Sequence, residues 1–191
     1  ALLDADLENP RLTAQLDLQL DVCWVDAILY GAPLTEAAVR SVDDRLVVFP
    51  LTPEAKASEL NWSAAATVAL YEQLRTIYDL VVVDTSPAMG LLTYNALLFA
   101  EELLVPVGMD LMAVIGARQT MAGVKQVREL WPERKLDLLA VLPTYVHSAN
   151  HATRAAMEAI ESDPSLGNRV FRPGIRQCID LNYATASHQT I

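Results

Sequence analysis

Apolar residues occur along the chain in two alternating patterns, which are short unbroken runs and longer stretches with helical spacing. The runs predict buried strands. These are expected at residues 45–49, 80–83, 103–107 and 138–142, with a last short strand at 169–171 that extends to Ile175. The longer stretches predict helices at residues 22–30, 34–42, 116–130 and 151–161, and one that begins at the N-cap Ser63 and ends near Tyr78. This alternation predicts one domain over residues 1–191, an α/β fold with a doubly wound, mainly parallel sheet and helices on both faces.

Carboxylates follow directly after two of the apolar runs. The run at 80–83 ends at Asp84, and the three apolar residues that open the chain end at Asp4, with Asp6 two residues later. Open parallel sheets bind ligands beyond the carboxyl ends of their strands, so these carboxylates predict chemistry at that edge, and a nucleotide-bound Mg²⁺ is the expected user. In the simpler alternatives Asp84 is only solvated, and Asp4 or Asp6 caps the loop or helix that follows its strand.

Both ends of the sequence are abrupt. Strands usually contain about five or six residues, whereas only three apolar residues precede Asp4. The last five residues, 187–191, contain no helix stop. The pattern predicts a fragment that is truncated at both ends, and the alternative is a chain from which an initiator Met before Ala1 has been removed.

Composition restricts the class of protein. The chain has 191 residues, of which 52% are hydrophobic and 20% charged, as is usual for a globular domain. It contains neither a run long enough to span a membrane nor a recognisable secretory signal. Cys23 and Cys178 stand alone, which argues against a zinc site or a disulfide framework and favours a reducing cytoplasm.

Charge is distributed unevenly along the chain. The formal net charge of −10 argues against a protein that coats nucleic acid with its whole surface. Residues 1–123 contain 6 basic and 17 acidic residues, whereas residues 124–176 contain 8 basic and 6 acidic ones. Only the later stretch could present a basic face, and ordinary solvated charges explain it equally well.

Three kinds of α/β domain are consistent with acidic strand ends: a dinucleotide-binding enzyme, a response-regulator-like receiver and a P-loop nucleotidase. No GxGxxG follows a strand, which weakens a dinucleotide-binding fold, and no Lys-bearing strand end supports a receiver-like domain. A phosphate-binding GxxxxGK[ST] loop is also missing, but such a loop would follow an earlier strand and is expected upstream of Ala1. His147 and His151 have the spacing of a metal pair, but without a third ligand we interpret them as surface histidines.

The segment 78–97, YDLVVVDTSPAMGLLTYNAL, resembles the signature YDxVxxDxPPxxGxLTxNAL of the ParA/MinD group of P-loop ATPases with a deviant Walker A motif, closest to the ParA/Soj partitioning branch. Residues 104–107, 141–144 and 175–181 resemble later strands of that group. The resemblance implies a P-loop NTPase-like fold with ATP and Mg²⁺ as cofactors.

The resemblance also implies roles for individual residues. Asp84 corresponds to the Walker B aspartate that holds the Mg²⁺ shell, Asp4 to a carboxylate near the metal, and Asp6 to the catalytic carboxylate that acts on the attacking water. The other implied nucleotide-binding residues are Thr85, Pro87 and Gly90 in the switch, and Thr144 and Ile175 at later strand ends.

Several positions depart from the family pattern. Ser86 replaces the first proline of the switch, which we expect to loosen the turn. Ile115 with Gly116 stands where many relatives have Glu-Gly, and His147 and Ala149 replace an aspartate and an arginine. These changes affect the surfaces expected to contact DNA and partners.

The implied function is an ATP-dependent molecular switch in the cytoplasm. Bound ATP would drive homodimerisation and non-specific DNA binding, and a ParB-like partner would stimulate slow hydrolysis during DNA partitioning. The alternative is a nucleotide-independent binding or regulatory module that retains the fold without a P-loop. Recovery of the sequence upstream of Ala1 would separate the two.

Overall fold

The computed structural model of the chain describes residues 1–18, 21–40, 46–51, 64–147 and 149–187. They form two compact units, one made of residues 1–99 with 183–191 and the other of residues 100–182. No helix among the described residues is long and apolar enough to cross a membrane.

The first unit is built on a four-stranded sheet. Its elements are β1 (Leu2–Ala5), α1 (Arg11–Gln15), α2 (Trp24–Tyr30), β2 (Val39–Arg40), β3 (Val47–Phe49), α3 (Ala64–Ile77), β4 (Val82–Thr85) and α4 (Leu91–Phe99). The strand order is β2-β3-β1-β4. β1 pairs in parallel with β3 and β4, and β2 pairs antiparallel with β3. The carboxyl ends of β1, β3 and β4 therefore lie at one edge of the sheet.

Large apolar side chains fill the core of this unit. Leu3 on β1, Trp24 on α2 and Leu74 on α3 are fully buried. Tyr71 packs on Phe99 with 4.6 Å between the ring centroids. Burying a side chain of this size stabilises a fold by roughly 1.5–3 kcal/mol, so these contacts fix the helices against the sheet.

The second unit contains a two-stranded parallel sheet. Its elements are β5 (Glu102–Gly108), α5 (Leu111–Leu130), β6 (Asp137–Thr144), α6 (His151–Glu161) and a 3₁₀ turn (Gly167–Arg169), and α7 (Ile179–Ala186) follows. β5 pairs only with β6 among the described strands, and an edge strand can accommodate the missing N–H of Pro106. Arg118 of α5 donates to Asp163 after α6 over 2.7 Å, which ties the two helices together.

Most predicted elements are present, with differences in their bounds. Helices form at 24–30, 64–77 and 151–161, close to the predicted ranges. α5 begins at Leu111, five residues before the predicted start, because Asp110 caps it by accepting from the N–H of Ala113 over 2.9 Å. The helices α1, α4 and α7 were not predicted from the apolar pattern. Ser63, Arg45 and residues 41–42 lie outside the described residues.

Three local predictions are wrong. The helix expected at 34–42 is replaced by a turn and β2, because the backbone of residues 39–40 pairs with β3. The last strand, expected at 169–171, is reduced to an isolated bridge between Val170 and Val141. The run at 80–83 is not buried on both faces. Leu80 is 69% and Val82 is 47% exposed, because β4 pairs only with β1 in the described part of the sheet.

Candidate functional site

The register between β1 and β4 brings two predicted site residues side by side. Asp4 is the Cα partner of Asp84, and Ala5 is the partner of Thr85. Paired residues of neighbouring strands point to the same face of a sheet and lie about 5 Å apart. The two carboxylates therefore meet at the carboxyl edge of the sheet in the first unit.

Asp4 is completely buried and hydrogen-bonded at both carboxylate oxygens. Its Oδ2 accepts from the N–H of Thr13 over 2.9 Å and from the Thr13 hydroxyl over 2.7 Å. Its Oδ1 accepts from the N–H of Asp6 over 3.3 Å. These donors satisfy both oxygens of a buried carboxylate. Asp4 therefore has a structural role. Its position near a metal, which the resemblance implies, stays a prediction.

Thr13 extends this hydrogen bonding to a second strand. Its hydroxyl oxygen accepts from the N–H of Leu51, directly after β3, over 2.9 Å. The indole N–H of Trp24 donates to the backbone carbonyl of Asp4 over 2.8 Å. The end of β1 is therefore held by α1, α2 and the segment after β3, which fixes the backbone that carries Asp4 and Asp6.

Asp6 lies just beyond β1 and keeps part of its carboxylate free. Its Oδ1 accepts from the N–H groups of Glu8 over 3.2 Å and Asn9 over 3.1 Å, so it caps the following turn. Its Oδ2 has no hydrogen-bond donor among the residues that the structure describes. The side chain is 9% exposed, so the fold orients one oxygen and leaves the other available to a water or ligand.

Asp84 experiences an unfavourable electrostatic environment. Partial burial of the carboxyl raises its pKa, and the negative charges of Asp4 and Asp6 raise it further. The side chain still reaches the surface, so only its inner part is desolvated. Like charges held together by the backbone in this way are stabilised by a bound cation, since a cation offsets their repulsion.

The turn that follows Asp84 is held by short-range hydrogen bonds. The Ser86 hydroxyl oxygen accepts from the N–H of Ala88 over 3.2 Å, and the Thr93 hydroxyl donates to the Ala88 carbonyl over 2.8 Å. A proline at position 86 could not accept the hydrogen bond from Ala88 in this way, because it has no hydroxyl. The hydrogen bond of Ser86 therefore offsets the loosening of the turn that the sequence predicts. Within this turn Thr85 is half-buried and Pro87 is exposed.

Gly90 closes the switch turn without a conformational need for glycine. Its φ is not in the left-handed region, and a Cβ built on it meets no atom within 4 Å. The fold therefore accepts a side chain at position 90. A glycine in open space is consistent with close approach of a ligand, and this predicted role stays a prediction.

Thr144 and Ile175 lie in the second unit. Thr144 ends β6, and the N–H of Ile175 donates to the carbonyl of Pro143 over 2.8 Å. The two predicted residues are thus brought near each other at the carboxyl end of β6. Ile175 is 44% exposed, so an apolar surface remains at that position.

A magnesium ion fits the carboxylate cluster of Asp4, Asp6 and Asp84 in charge and in ligand type. Mg²⁺ prefers oxygen ligands and usually keeps several waters beside one or two carboxylates and substrate phosphates. Within the described ranges no group of three or more His, Cys, Asp or Glu is placed to hold a metal ion, and this applies to these three carboxylates too. The cluster therefore suits an ion that shares its coordination with water and phosphate. His147 and His151 also have no third metal ligand in the described part of the chain.

Comparison with known proteins identifies a matching family and several relatives. Residues 21–138 match the profile of the AAA_31 family, described as an AAA domain. The chain is 38% identical over 165 residues to the chromosome-partitioning ATPase Soj of Thermus thermophilus. That alignment covers 86% of this chain and 64% of the relative, so this chain spans less than two thirds of the relative's length.

Solved structures show the same fold. Apo McdA of Cyanothece superposes with a TM-score of 0.79 at 20% identity and covers 98% of this chain and 77% of that one. A cobyrinic acid a,c-diamide synthase from Mycobacterium smegmatis, with bound ATP analogue and magnesium, superposes with a TM-score of 0.78 at 25% identity. It covers 93% of this chain and 74% of that one. The predicted P-loop NTPase-like α/β fold is therefore confirmed, and nucleotide and magnesium binding occur among its relatives.

Two features of the structure were missed by sequence reasoning. Thr13 supports Asp4 from nine residues away, and no motif or spacing indicates that contact. Asp110 follows an apolar run and precedes another, which is a helix N-cap pattern that the sequence could have revealed. It lies at the rim of a cavity in the second unit.

The Thr13 hydrogen bonds predict a measurable loss of stability in Thr13→Val. The substitution removes one donor to the buried Asp4 carboxylate and leaves the N–H of Leu51 without its acceptor. Each such loss costs about 1–3 kcal/mol, so we expect the free energy of unfolding in urea to fall by roughly 2–4 kcal/mol. Thr120→Val is the matched control, because its hydroxyl donates only to its own helix at Gly116. Equal stability of the two variants would contradict the supporting role of Thr13.

The raised pKa of Asp84 predicts that this residue destabilises the cation-free fold at neutral pH. The folded chain binds the proton of Asp84 more tightly than the unfolded chain, so this group's contribution to stability falls as pH rises from the ordinary Asp pKa through the raised one. Asp84→Asn removes the charge. Without Mg²⁺ we expect it to unfold at higher urea concentration than the unmodified protein at pH 7, with the gap closing near pH 3.

Asp21→Asn is the control for this comparison, since Asp21 is an exposed carboxylate of the same unit. It should change stability little at either pH. If Asp84→Asn were less stable than the unmodified protein at pH 7, the charged carboxylate would stabilise the fold. That result would contradict the unfavourable electrostatic environment inferred for Asp84.

Proposed function

The chain belongs to the ParA/MinD family of ATPases and within it is most similar to the ParA/Soj branch, and from this we propose that it acts as an ATP-dependent molecular switch. The observation that carries the proposal is the cluster of Asp4, Asp6 and Asp84 at the carboxyl edge of the first sheet. Ligands of open α/β sheets bind at that edge. The negative charge of the three carboxylates favours the binding of a cation.

Asp84 is the proposed metal residue. Its carboxylate would hold the water shell of Mg²⁺, because it carries the raised pKa and its side chain reaches solvent. Bound Mg²⁺ neutralises charge on the β- and γ-phosphates of ATP during transfer to water. Asp4, with its oxygens committed to Thr13 and Asp6, would keep the backbone of the site in place and add negative charge beside the metal.

Asp6 is the proposed catalytic residue. One of its oxygens is fixed by the N–H groups of Glu8 and Asn9, and the other has no donor in the described structure. Such a carboxylate can orient a water and accept its proton. Most of the rate of phosphoryl transfer comes from positioning and charge neutralisation, so Asp6 would act on the nucleophile only.

The remaining predicted residues take supporting roles in this proposal. The turn of Thr85, Pro87 and Gly90 follows Asp84 directly and would respond to the γ-phosphate. Thr144 and Ile175 would contact the nucleotide from the end of β6 and the segment beside it. These assignments rest on the order of residues in the family signature and on their positions at strand ends.

The cellular role proposed from the family is DNA partitioning or positioning. One relative is named a chromosome-partitioning ATPase and another a chromosome partitioning protein. By analogy, ATP would drive homodimerisation, the dimer would bind DNA without sequence preference, and a ParB-like protein would stimulate hydrolysis. The cytoplasmic location predicted from the sequence stays a prediction.

The test uses calorimetric titration of the full-length protein with Mg-ATP, together with phosphate release. Asp84→Asn should weaken Mg-ATP binding at least tenfold, because the metal shell loses its charged anchor. Asp6→Ala should bind Mg-ATP within about twofold of the unmodified protein and lose most of its turnover, which is the signature of a group acting on the chemical step. Asp21→Asn is the control for both measurements.

Two outcomes would contradict the assignment. Unchanged Mg-ATP binding by Asp84→Asn would remove the metal role, and turnover by Asp6→Ala within a factor of two would place the catalytic carboxylate elsewhere. If the full-length protein bound no nucleotide, the nucleotide-independent binding module would become the better account of the fold.

A further inference from the structure

The second unit contains a cavity of about 400 Å³ at the carboxyl ends of β5 and β6. Its volume is within the range of small-molecule sites, roughly 300–1,000 Å³. The N-terminal ends of α5 and α6 both border it. The polar side chains around it belong to Asp110, Tyr145, His147, Asn150, Thr153 and Gln177.

Thr153 lines this cavity and is 5% exposed. Its hydroxyl makes no hydrogen bond to any residue that the structure describes. The hydroxyl oxygen keeps some accessible surface, since the fully buried side-chain polar atoms without a partner among the described residues belong to Tyr71 and Asn95. The hydroxyl of Thr153 is therefore a donor available to an occupant of the cavity.

The N-terminus of α6 supplies further donors beside Thr153. Asn150 caps the helix, and its Oδ1 accepts from the N–H of Ala152 over 3.0 Å. The N–H groups of His151 and Thr153 have no acceptor within the described ranges. The first turn contains no acidic residue, so the positive end of the helix dipole is not cancelled by a side chain. Of His151 and Thr153, Thr153 lines the cavity, so its N–H and its hydroxyl at the helix N-terminus form a site for an oxyanion.

The N-terminal end of α5, which also lines the cavity, has the reverse character. Asp110 caps α5 by accepting from the N–H of Ala113, so its carboxylate already neutralises the positive end of that helix. A negative ligand is therefore attracted to the α6 wall and repelled by the α5 wall. This asymmetry favours a small ligand with one oxyanion group over an extended polyanion such as a nucleic-acid backbone.

We propose that the α6 end of this cavity binds the oxyanion group of a small molecule, a carboxylate or a phosphate. The ligand oxygens accept from the hydroxyl and from the N–H of Thr153, which lines the cavity. All of these groups belong to the second unit, and binding there does not require nucleotide hydrolysis. The protein would thus respond to a second ligand besides the proposed Mg-ATP.

The test is a ¹⁵N NMR titration of the full chain with sodium phosphate and, separately, with sodium acetate. Sodium chloride at equal ionic strength is the reference for both. We expect saturable shifts of the His151 and Thr153 amide signals with at least one oxyanion and not with chloride. The anion that saturates at lower concentration identifies the group as phosphate or carboxylate. Small linear shifts that are the same with all three salts would overturn the proposal.

Substitutions in the cavity separate the proposed donors from a general salt effect. Thr153→Val keeps the shape of the side chain and removes the hydroxyl, so the dissociation constant of the preferred anion should rise about tenfold. Asn150→Asp keeps a capping oxygen and adds negative charge, so it should abolish saturation. Asp110→Asn removes repulsion and should tighten binding.

Thr120→Val is the matched control, because it removes a hydroxyl of the same unit outside the cavity, and its dissociation constant should be unchanged. Unchanged binding in Thr153→Val would overturn the proposal. If that variant does not fold, saturation that persists in Asn150→Asp would overturn it equally. Because the readout is at individual amides of α6, these results are independent of whether Mg-ATP binds at Asp84.

Discussion

The pairing of β1 with β4 holds Asp4 directly beside Asp84, and this like-charge contact is the constraint around which the first unit is arranged. Two carboxylates on neighbouring strands destabilise the fold unless donors or a cation offset them. The chain supplies donors to Asp4 through Thr13 and Asp6, but leaves Asp84 with a raised pKa. The cost is concentrated at the residue that we propose as the metal site.

The carboxylates of this cluster differ in accessibility, because one is fixed by hydrogen bonds and two remain partly open to solvent. Asp4 is buried, and its hydrogen bonds, together with those of Thr13, connect β1 to α1 and to the segment after β3. Asp6 and Asp84 each keep part of a carboxylate accessible. A site built in this way is positioned before any ligand arrives, which reduces the reorganisation needed in the reaction.

Much of the fold could be predicted because strand and helix periodicities are strong in this chain. The signature from Tyr78 to Leu97 placed Asp84 correctly at a strand end, and the parallel class followed from the alternation of elements. The pairing of Asp4 with Asp84 and the support from Thr13 could not be predicted, since register and tertiary hydrogen bonds leave no local pattern. The exposure of Val82 was missed for a related reason, because an apolar run does not reveal which strands pair beside it.

The most direct test of the account is the pKa of the Asp84 carboxyl, measured by ¹³C NMR titration with and without Mg²⁺. The account predicts a pKa above the ordinary Asp value without the ion, because of burial and the charges of Asp4 and Asp6. It also predicts a decrease when Mg²⁺ is added, since a bound cation favours the charged carboxylate. An ordinary pKa that does not respond to Mg²⁺ would contradict the proposed metal site.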